Sequence, residues 1–374
     1  MRILHISSAQ AFGGGERHLV DLVKGLSARG HDLFVALRPK SPLSTELTSL
    51  PQSNFLELSL RNAVDARSAA RLSQFVADRK IEIVHAHMAR DYPAAAYAAR
   101  RNRAAYLIIT RHVLFPLSRL HKFTLSHAGR VIAVSKAVAR QLADQKLIQP
   151  EKIDVVHNGV DFSRFDTATD HFDRRQFLRN WDLPEECLLV GSVGELNPLK
   201  GHQDFLQAAA QIALHFPEVY FIVAGVDVSP AQANLSALKQ SIQKLQLSPR
   251  VRLIGRMDDI TELFRALDVF VSASHTESFG LAIVEAMSAE TSVVATKTEG
   301  AQEIIREGKT GLLVPIGDVP ALAESISMLL RDEERRVSMA QSASEDVRMR
   351  FSLQQMVEAT EKIYFEVRRE KPST

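Results

Sequence analysis

Short apolar runs alternate with amphipathic helical stretches along the chain. That pattern predicts parallel sheets with helices on both faces. In the first half the runs read as strands over Ile3–Ile6, Leu33–Leu37, Ile83–His85, Tyr106–Ile109, Val131–Val134 and Ile153–Val156. A second series covers Leu188–Val193, Tyr220–Ala224, Val251–Ile254, Val269–Val271, Val293–Ala295 and Leu312–Val314. Between them, Asp161–Pro184 is rich in Asp, Arg and Phe and reads as an irregular hinge. The expected fold class is therefore α/β, with two Rossmann-like doubly wound units over residues 1–166 and 167–352 and a last helical stretch over Leu353–Arg369. Units of this kind bind ligands outside the carboxyl ends of their strands, which predicts a cleft.

Length supports the division, because 374 residues exceed one ordinary core. The chain is 45% hydrophobic and 24% charged, a composition of soluble globular proteins. Its one cysteine, Cys187, excludes an intrachain disulfide and fits a reducing compartment. It opens the apolar run Cys187–Val190 and reads as a buried strand residue. No apolar stretch reaches the length of a membrane span, and the first strand begins too early to leave room for a signal peptide. A cytoplasmic protein is expected. The net charge of +2 conceals an asymmetry: residues 1–166 hold 24 Lys+Arg against 14 Asp+Glu, and the remainder 22 against 30. The basic half is the better candidate to face something anionic.

The densest chemistry lies in His275–Met287. The buried-strand run Val269–Val271 leads into it, and a helix-forming run, Leu281–Ala289, follows. A helix N-terminus offers unpaired N–H groups and a positive dipole end, so the backbone at Phe279, Gly280 and Leu281 suits a phosphate. Glu277 stands just outside that terminus and Glu285 one to two turns inside it. Carboxylates accept hydrogen bonds from diols. Phosphate and sugar recognition are expected together.

Glu277 and Glu285, followed by Ala286-Met287, resemble the paired-glutamate motif of the retaining glycosyltransferases of family 4. The likeness continues in Gly13-Gly-Gly-Glu-Arg17, Leu26–His31, Thr110–His112, Asn158–Asp161 and Gly194–Gly201. It implies the two-domain GT-B fold, with the last helix (about 353–374) crossing back onto the first domain. It implies a nucleoside-diphosphate sugar as donor, with a UDP-sugar expected, and a glycan or lipid-linked acceptor of the cell envelope. Glu285 would bind the ribose hydroxyls and Glu277 the donor sugar. Lys200 and the N–H groups at Phe279–Leu281 would hold the diphosphate. His112 would touch the transferring sugar or the acceptor, and the loop at Gly14 and Gly15 would lie near the donor phosphates. No protein nucleophile, cofactor or metal is implied, and no Asp-x-Asp metal clamp occurs in the sequence.

Several residues depart from the family. Glu195 stands where an Arg is usual, and Arg256 is the candidate substitute cation. Glu290, Ser292 and Glu299 stand where Gly, Pro and Gly are common. His85 and His87 share one face of a strand end, but no third metal ligand follows at a recognisable spacing. Arg61, Arg67, Arg71, Arg79 and Lys80, with Arg100–Arg103 and the mixed run Leu114–Phe123, suggest contact with an anionic surface on the inner face of the cytoplasmic membrane. Nucleic acid is not expected, since aromatics make up only 6% and no binding module is present. Two rival readings are a sugar-nucleotide epimerase of similar shape and a non-catalytic sugar-nucleotide-binding subunit. The dinucleotide fingerprint is nearly present at the first glycine loop. Arg38 and Lys40 stand where it needs an acid, which argues against a nicotinamide cofactor.

Overall fold

The computed structural model describes residues 1–62, 65–167, 172–257 and 259–370. The chain divides into two units, residues 1–159 with 353–374, and residues 160–352. Strands of the first unit are β1 (Arg2–Ser7), β2 (Asp32–Leu37), β3 (Phe55–Glu57), β4 (Ile83–Ala86), β5 (Tyr106–Arg111), β6 (Arg130–Ala133) and β7 (Ile153–Val155). Those of the second are β8 (Leu188–Val193), β9 (Val219–Ala224), β10 (Val251–Ile254), β11 (Val269–Ser272), β12 (Ser292–Thr296) and β13 (Leu312–Val314). Every strand pair is parallel. The α/β expectation is met in both units.

The sheet orders place the sites. The first sheet runs β3-β2-β1-β4-β5-β6-β7 and the second β10-β9-β8-β11-β12-β13. In each, the order reverses at one seam, β1/β4 and β8/β11. In folds of this kind ligands bind outside the carboxyl ends of the strands at such a seam, where the chain leaves toward helices on opposite faces. Helices cover both faces, so the inner strands are apolar throughout rather than alternating. Ile3, Ile83, Val190 and Val269 are fully buried along the two seams.

Every strand run expected from the sequence forms a strand. The one missed, β3, is a half-exposed edge strand of three residues, too short to announce itself. The expected boundary after residue 166 moves to Gly159/Val160. Val160 bridges to Ser352 and Phe165 is fully buried, so this stretch packs with the second unit. The supposedly irregular hinge contains two helices, Ser163–Thr167 and Arg174–Asn180. Their shortness hid them from a periodicity reading. Part of the hinge, residues 168–171, lies outside the described residues, as do residues 371–374 of the last segment.

The last helix, Leu353–Arg369, packs on the helix Gly14–Ala28 of the first unit. Gly25 makes that approach possible, because a Cβ there would come within 2.5 Å of Val357. Glu361 accepts hydrogen bonds from Arg29 at 2.7 Å and from His31 Nε2 at 2.6 Å. Inside, the Tyr364 hydroxyl lies 2.6 Å from His85 Nδ1. The helix therefore completes the core of the first unit and fixes a histidine beneath the β1/β4 seam.

Candidate functional site

In the second unit two loops leave the β8/β11 seam together. The loop after β8, Gly194–Gly201, carries Lys200 in a single 3-10 turn, Pro198–Lys200. The loop after β11 carries Glu277. Three contacts fasten the loops side by side. The His275 N–H donates to the Leu199 carbonyl at 2.8 Å. Gly201, with φ 65°, presses so close that a Cβ would sit 1.9 Å from the Ala273 carbonyl oxygen, which no other residue could satisfy. Lys200 Nζ then reaches Glu277 Oε2 at 2.7 Å, with both side chains mostly shielded.

That pair has useful spare capacity. An ammonium has three N–H donors and the pair uses one. Among the described residues, the hydrogen bonds to the Glu277 carboxylate both fall on Oε2, from Lys200 and from Ser274 Oγ at 3.4 Å. Cation and carboxylate thus stand together beside a helix N-terminus, that of Leu281–Ser288, whose N-cap is Gly280. Phe279 is buried with its ring edge-on to Phe351 at 5.3 Å, which anchors the backbone entering the helix. Gly300 locks the other side, its N–H donating to the Glu277 carbonyl at 3.0 Å. Glu285 is the fifth residue of that helix and half-buried. Lys200, Glu277 and Glu285 thus fall on this helix and the two loops that lead to its N-terminus. Arg256 is exposed on the loop after β10, on the same carboxyl edge but two strands away from β8. Parallel strands lie about 4.8 Å apart, so that offset is roughly 10 Å.

Departures from the family pattern acquire local explanations. Glu195 is exposed and accepts a hydrogen bond from Asn197 Nδ2 at 3.0 Å, within its own loop. Glu299 is exposed at the start of the helix Glu299–Ile304, where an acid suits the dipole. Ser292 is buried and donates to the Arg336 carbonyl at 2.6 Å. Glu290 carries strain. It follows the C-cap of Leu281–Ser288 with φ 56°, a left-handed position that favours glycine.

In the first unit the β1/β4 seam carries histidines: His5 on β1, His85 on β4, His87 just after it, His112 after β5 and His18 on the helix Gly14–Ala28. His5, His18, His85 and His87 are buried and His112 is half-buried. His87 Nε2 lies 3.0 Å from His5 Nδ1, and His87 Nδ1 lies 3.3 Å from His112 Nε2. Burial holds His18 down to about 4 and His5 to about 3, and it keeps His85, His87 and His112 well below the usual histidine range. The glycine loop belongs here too: Gly13 caps the helix, Gly14 and Gly15 open it, and a Cβ on Gly15 would lie 3.5 Å from His112 Cγ.

No third ligand stands near His85 and His87 at a recognisable sequence spacing, but other histidines stand near them in space. The fold groups His5, His85 and His87, and separately His18, His87 and His112, with ligand atoms within 4.8 Å of one another. Sequence spacing hid this, because parallel strands bring together residues far apart in the chain.

Two family models cover most of the sequence between them. Glycosyltransferase Family 4 matches residues 12–164 and Glycosyl transferases group 1 matches residues 173–346. The chain is 26% identical to the N-acetyl-alpha-D-glucosaminyl L-malate synthase of Bacillus anthracis over 98% of this chain and 97% of that protein. It is 33% identical to the D-inositol 3-phosphate glycosyltransferase of Salinispora tropica, over 60% of this chain and 48% of that protein. A glycosyltransferase from Rickettsia africae shares the fold with a TM-score of 0.86 at 24% identity, covering 99% of both chains. Anabaena HepE, solved in complex with UDP-glucose, matches with a TM-score of 0.85 at 25% identity, over 98% of this chain and all of that one.

Because Glu290 holds a left-handed conformation, Glu290→Gly should raise stability by about 0.5–1 kcal/mol in urea unfolding. An unchanged or lower midpoint would show that the position bears no such strain.

Proposed function

We propose that this chain, which belongs to the group 1 and Family 4 glycosyltransferases, moves a sugar with retention from a UDP-sugar to a cell-envelope glycan or lipid-linked acceptor, without a metal. The observation that carries the donor reading is the shielded Lys200–Glu277 pair beside the N-terminus of Leu281–Ser288. A nucleoside diphosphate sugar needs a cation and amide donors for its phosphates, and carboxylates for its hydroxyls, all within a few ångströms. HepE, solved with UDP and glucose and with UDP-glucose, supports the choice of uridine.

The roles follow from the chemistry of each group. Lys200 and the N–H groups at Phe279–Leu281 hold the diphosphate, and Glu285 takes the ribose hydroxyls. Glu277 takes hydroxyls of the donor sugar. His112, with the glycine loop at Gly14 and Gly15 against it, meets the transferring sugar or the acceptor, and Arg256 supplements charge on the phosphate side. In transfer, the acceptor oxygen bonds to the anomeric carbon as its bond to the phosphate oxygen breaks. The departing phosphate takes the acceptor proton on the same face. Positioning and charge stabilisation then supply the rate. An epimerase would interconvert the sugar without an acceptor, and a binding subunit would not turn over. Release of UDP only when acceptor is present separates transfer from both.

The variants form a pattern. Glu285→Gln should weaken UDP by about 1–3 kcal/mol in calorimetry, since a charged hydrogen bond is lost. Lys200→Ala should weaken UDP but not uridine. Glu277→Gln should spare UDP and lower turnover. Three folded variants that bind UDP and transfer as the parent does would remove this site from the donor. Cationic lysine and amide groups in place of a metal clamp also predict full turnover in excess chelator. Activity lost in chelator and restored by magnesium or manganese would contradict the mechanism.

A lipid-linked acceptor places the enzyme at an anionic bilayer. Among the described residues no helix is long and apolar enough to cross a membrane. The first unit exposes Leu120, Phe123 and Phe115 among Arg100, Arg119 and Lys122, with the Arg100 guanidinium 6.0 Å over the Phe123 ring. Arg67 and Arg71 are exposed one turn apart on the helix Ala66–Asp78. Sedimentation with phosphatidylglycerol vesicles should fall on reversing Arg67 and Arg71, fall on Phe123→Ser, and weaken with salt. No binding by the parent protein would discard the membrane reading.

A further inference from the structure

We propose that His18, His87 and His112 form a zinc site in the first unit, one that inhibits transfer rather than serving it. His87 Nδ1 and His112 Nε2 stand 3.3 Å apart. Two imidazole nitrogens bound to one tetrahedral zinc, at the usual zinc–nitrogen length, are separated by about 3.3–3.4 Å. The pair already has the spacing of two ligands. His18 supplies the third, its ring edge-on to His112 with centroids 4.8 Å apart. Both of its ring nitrogens, and His112 Nδ1, are buried with no well-formed hydrogen bond among the described residues, although the Asn158 side chain lies near enough to His18 to raise its pKa against burial. Since the ligand atoms of the trio lie within 4.8 Å of one another, closing the set needs a shift of at most roughly 1.5 Å, within reach of a ring rotation.

The companion trio is ruled out by its own bonds. His85 already engages the Tyr364 hydroxyl with Nδ1 and Thr110 Oγ1 at 2.7 Å with Nε2, leaving no nitrogen for a metal. His87 is better supported. When Nδ1 ligates, Nε2–H donates to His5 Nδ1 at 3.0 Å, the outer-shell bond that orients a ligating imidazole. Burial keeps all three rings neutral at physiological pH, so no proton competes for the ligating nitrogen. Three imidazoles and no carboxylate favour zinc and its borderline neighbours over magnesium, calcium or manganese, which prefer oxygen. His112 is half-buried, so the fourth position can hold water and the metal can enter.

A zinc held by His112 takes that side chain out of hydrogen bonding with sugar or acceptor. This inhibitory half rests on the role proposed for His112; metal binding does not. The test uses the full chain without an affinity tag, stripped with chelator and dialysed. Cobalt titrated at neutral pH should give the visible absorption of tetrahedral cobalt at one equivalent, and zinc should displace it, while magnesium and manganese should not. His18→Ala should weaken cobalt binding at least about tenfold. His121→Ala, outside the trio, should not. Zinc should lower turnover of the parent protein, and chelator should restore it. No stoichiometric cobalt spectrum in the parent protein overturns the site whatever the variants do. Unchanged affinity in folded His18→Ala also overturns it, and zinc bound without loss of turnover overturns the inhibition. A chain that binds one zinc but transfers no sugar would keep the metal site and remove the transferase reading instead.

Discussion

The second unit of this protein depends on the close approach of two loops at one seam of a parallel sheet. Gly201 packs against the Ala273 carbonyl with no room for a side chain, and the His275 N–H bonds the Leu199 carbonyl. Those backbone contacts hold Lys200 and Glu277 2.7 Å apart, so the site is preorganised by main chain rather than by flexible side chains. Preorganisation matters because a cation and a carboxylate held in a fixed, half-shielded geometry need little rearrangement when charge develops on a leaving phosphate. The rest of the second unit braces this point, through Phe279 on Phe351 and Gly300 beneath Glu277.

Much of this architecture was legible in the sequence, for identifiable reasons. Buried parallel strands are continuous apolar runs, so Leu188–Val193 and Val251–Ile254 could be bounded to the residue. The strand–turn–helix signal around Glu277 is local, and it placed the helix start at Leu281 correctly. Short elements escaped. Phe55–Glu57 is a short edge strand, and Arg174–Asn180 spans about two turns, too short for a period to show. The unit boundary also slipped, because the burial of Phe165 comes from tertiary packing that no local pattern records.

The histidine cluster was illegible in a more basic way. Its five members come from three elements, β1, β4 and the helix Gly14–Ala28, and from the loops after β4 and β5, so the parallel order β1-β4-β5 brings together residues far apart in the chain. A spacing rule sees His85 and His87 and stops. The crossover helix adds Tyr364 to the same group from the far end of the chain. Glu195, Glu290 and Glu299 show the converse: they look like damage to a motif, yet two are exposed local solutions and the third is a strained helix end away from Lys200 and Glu277.

The central claim is that the loops after β8 and β11 together hold a nucleoside diphosphate. Hydrogen exchange of the backbone, followed by mass spectrometry with and without UDP, tests it directly. The account predicts slowed exchange in peptides covering residues 194–201 and 275–285, with uridine alone protecting little around Lys200. UDP binding that leaves both segments unchanged, or protects only residues elsewhere, would contradict it.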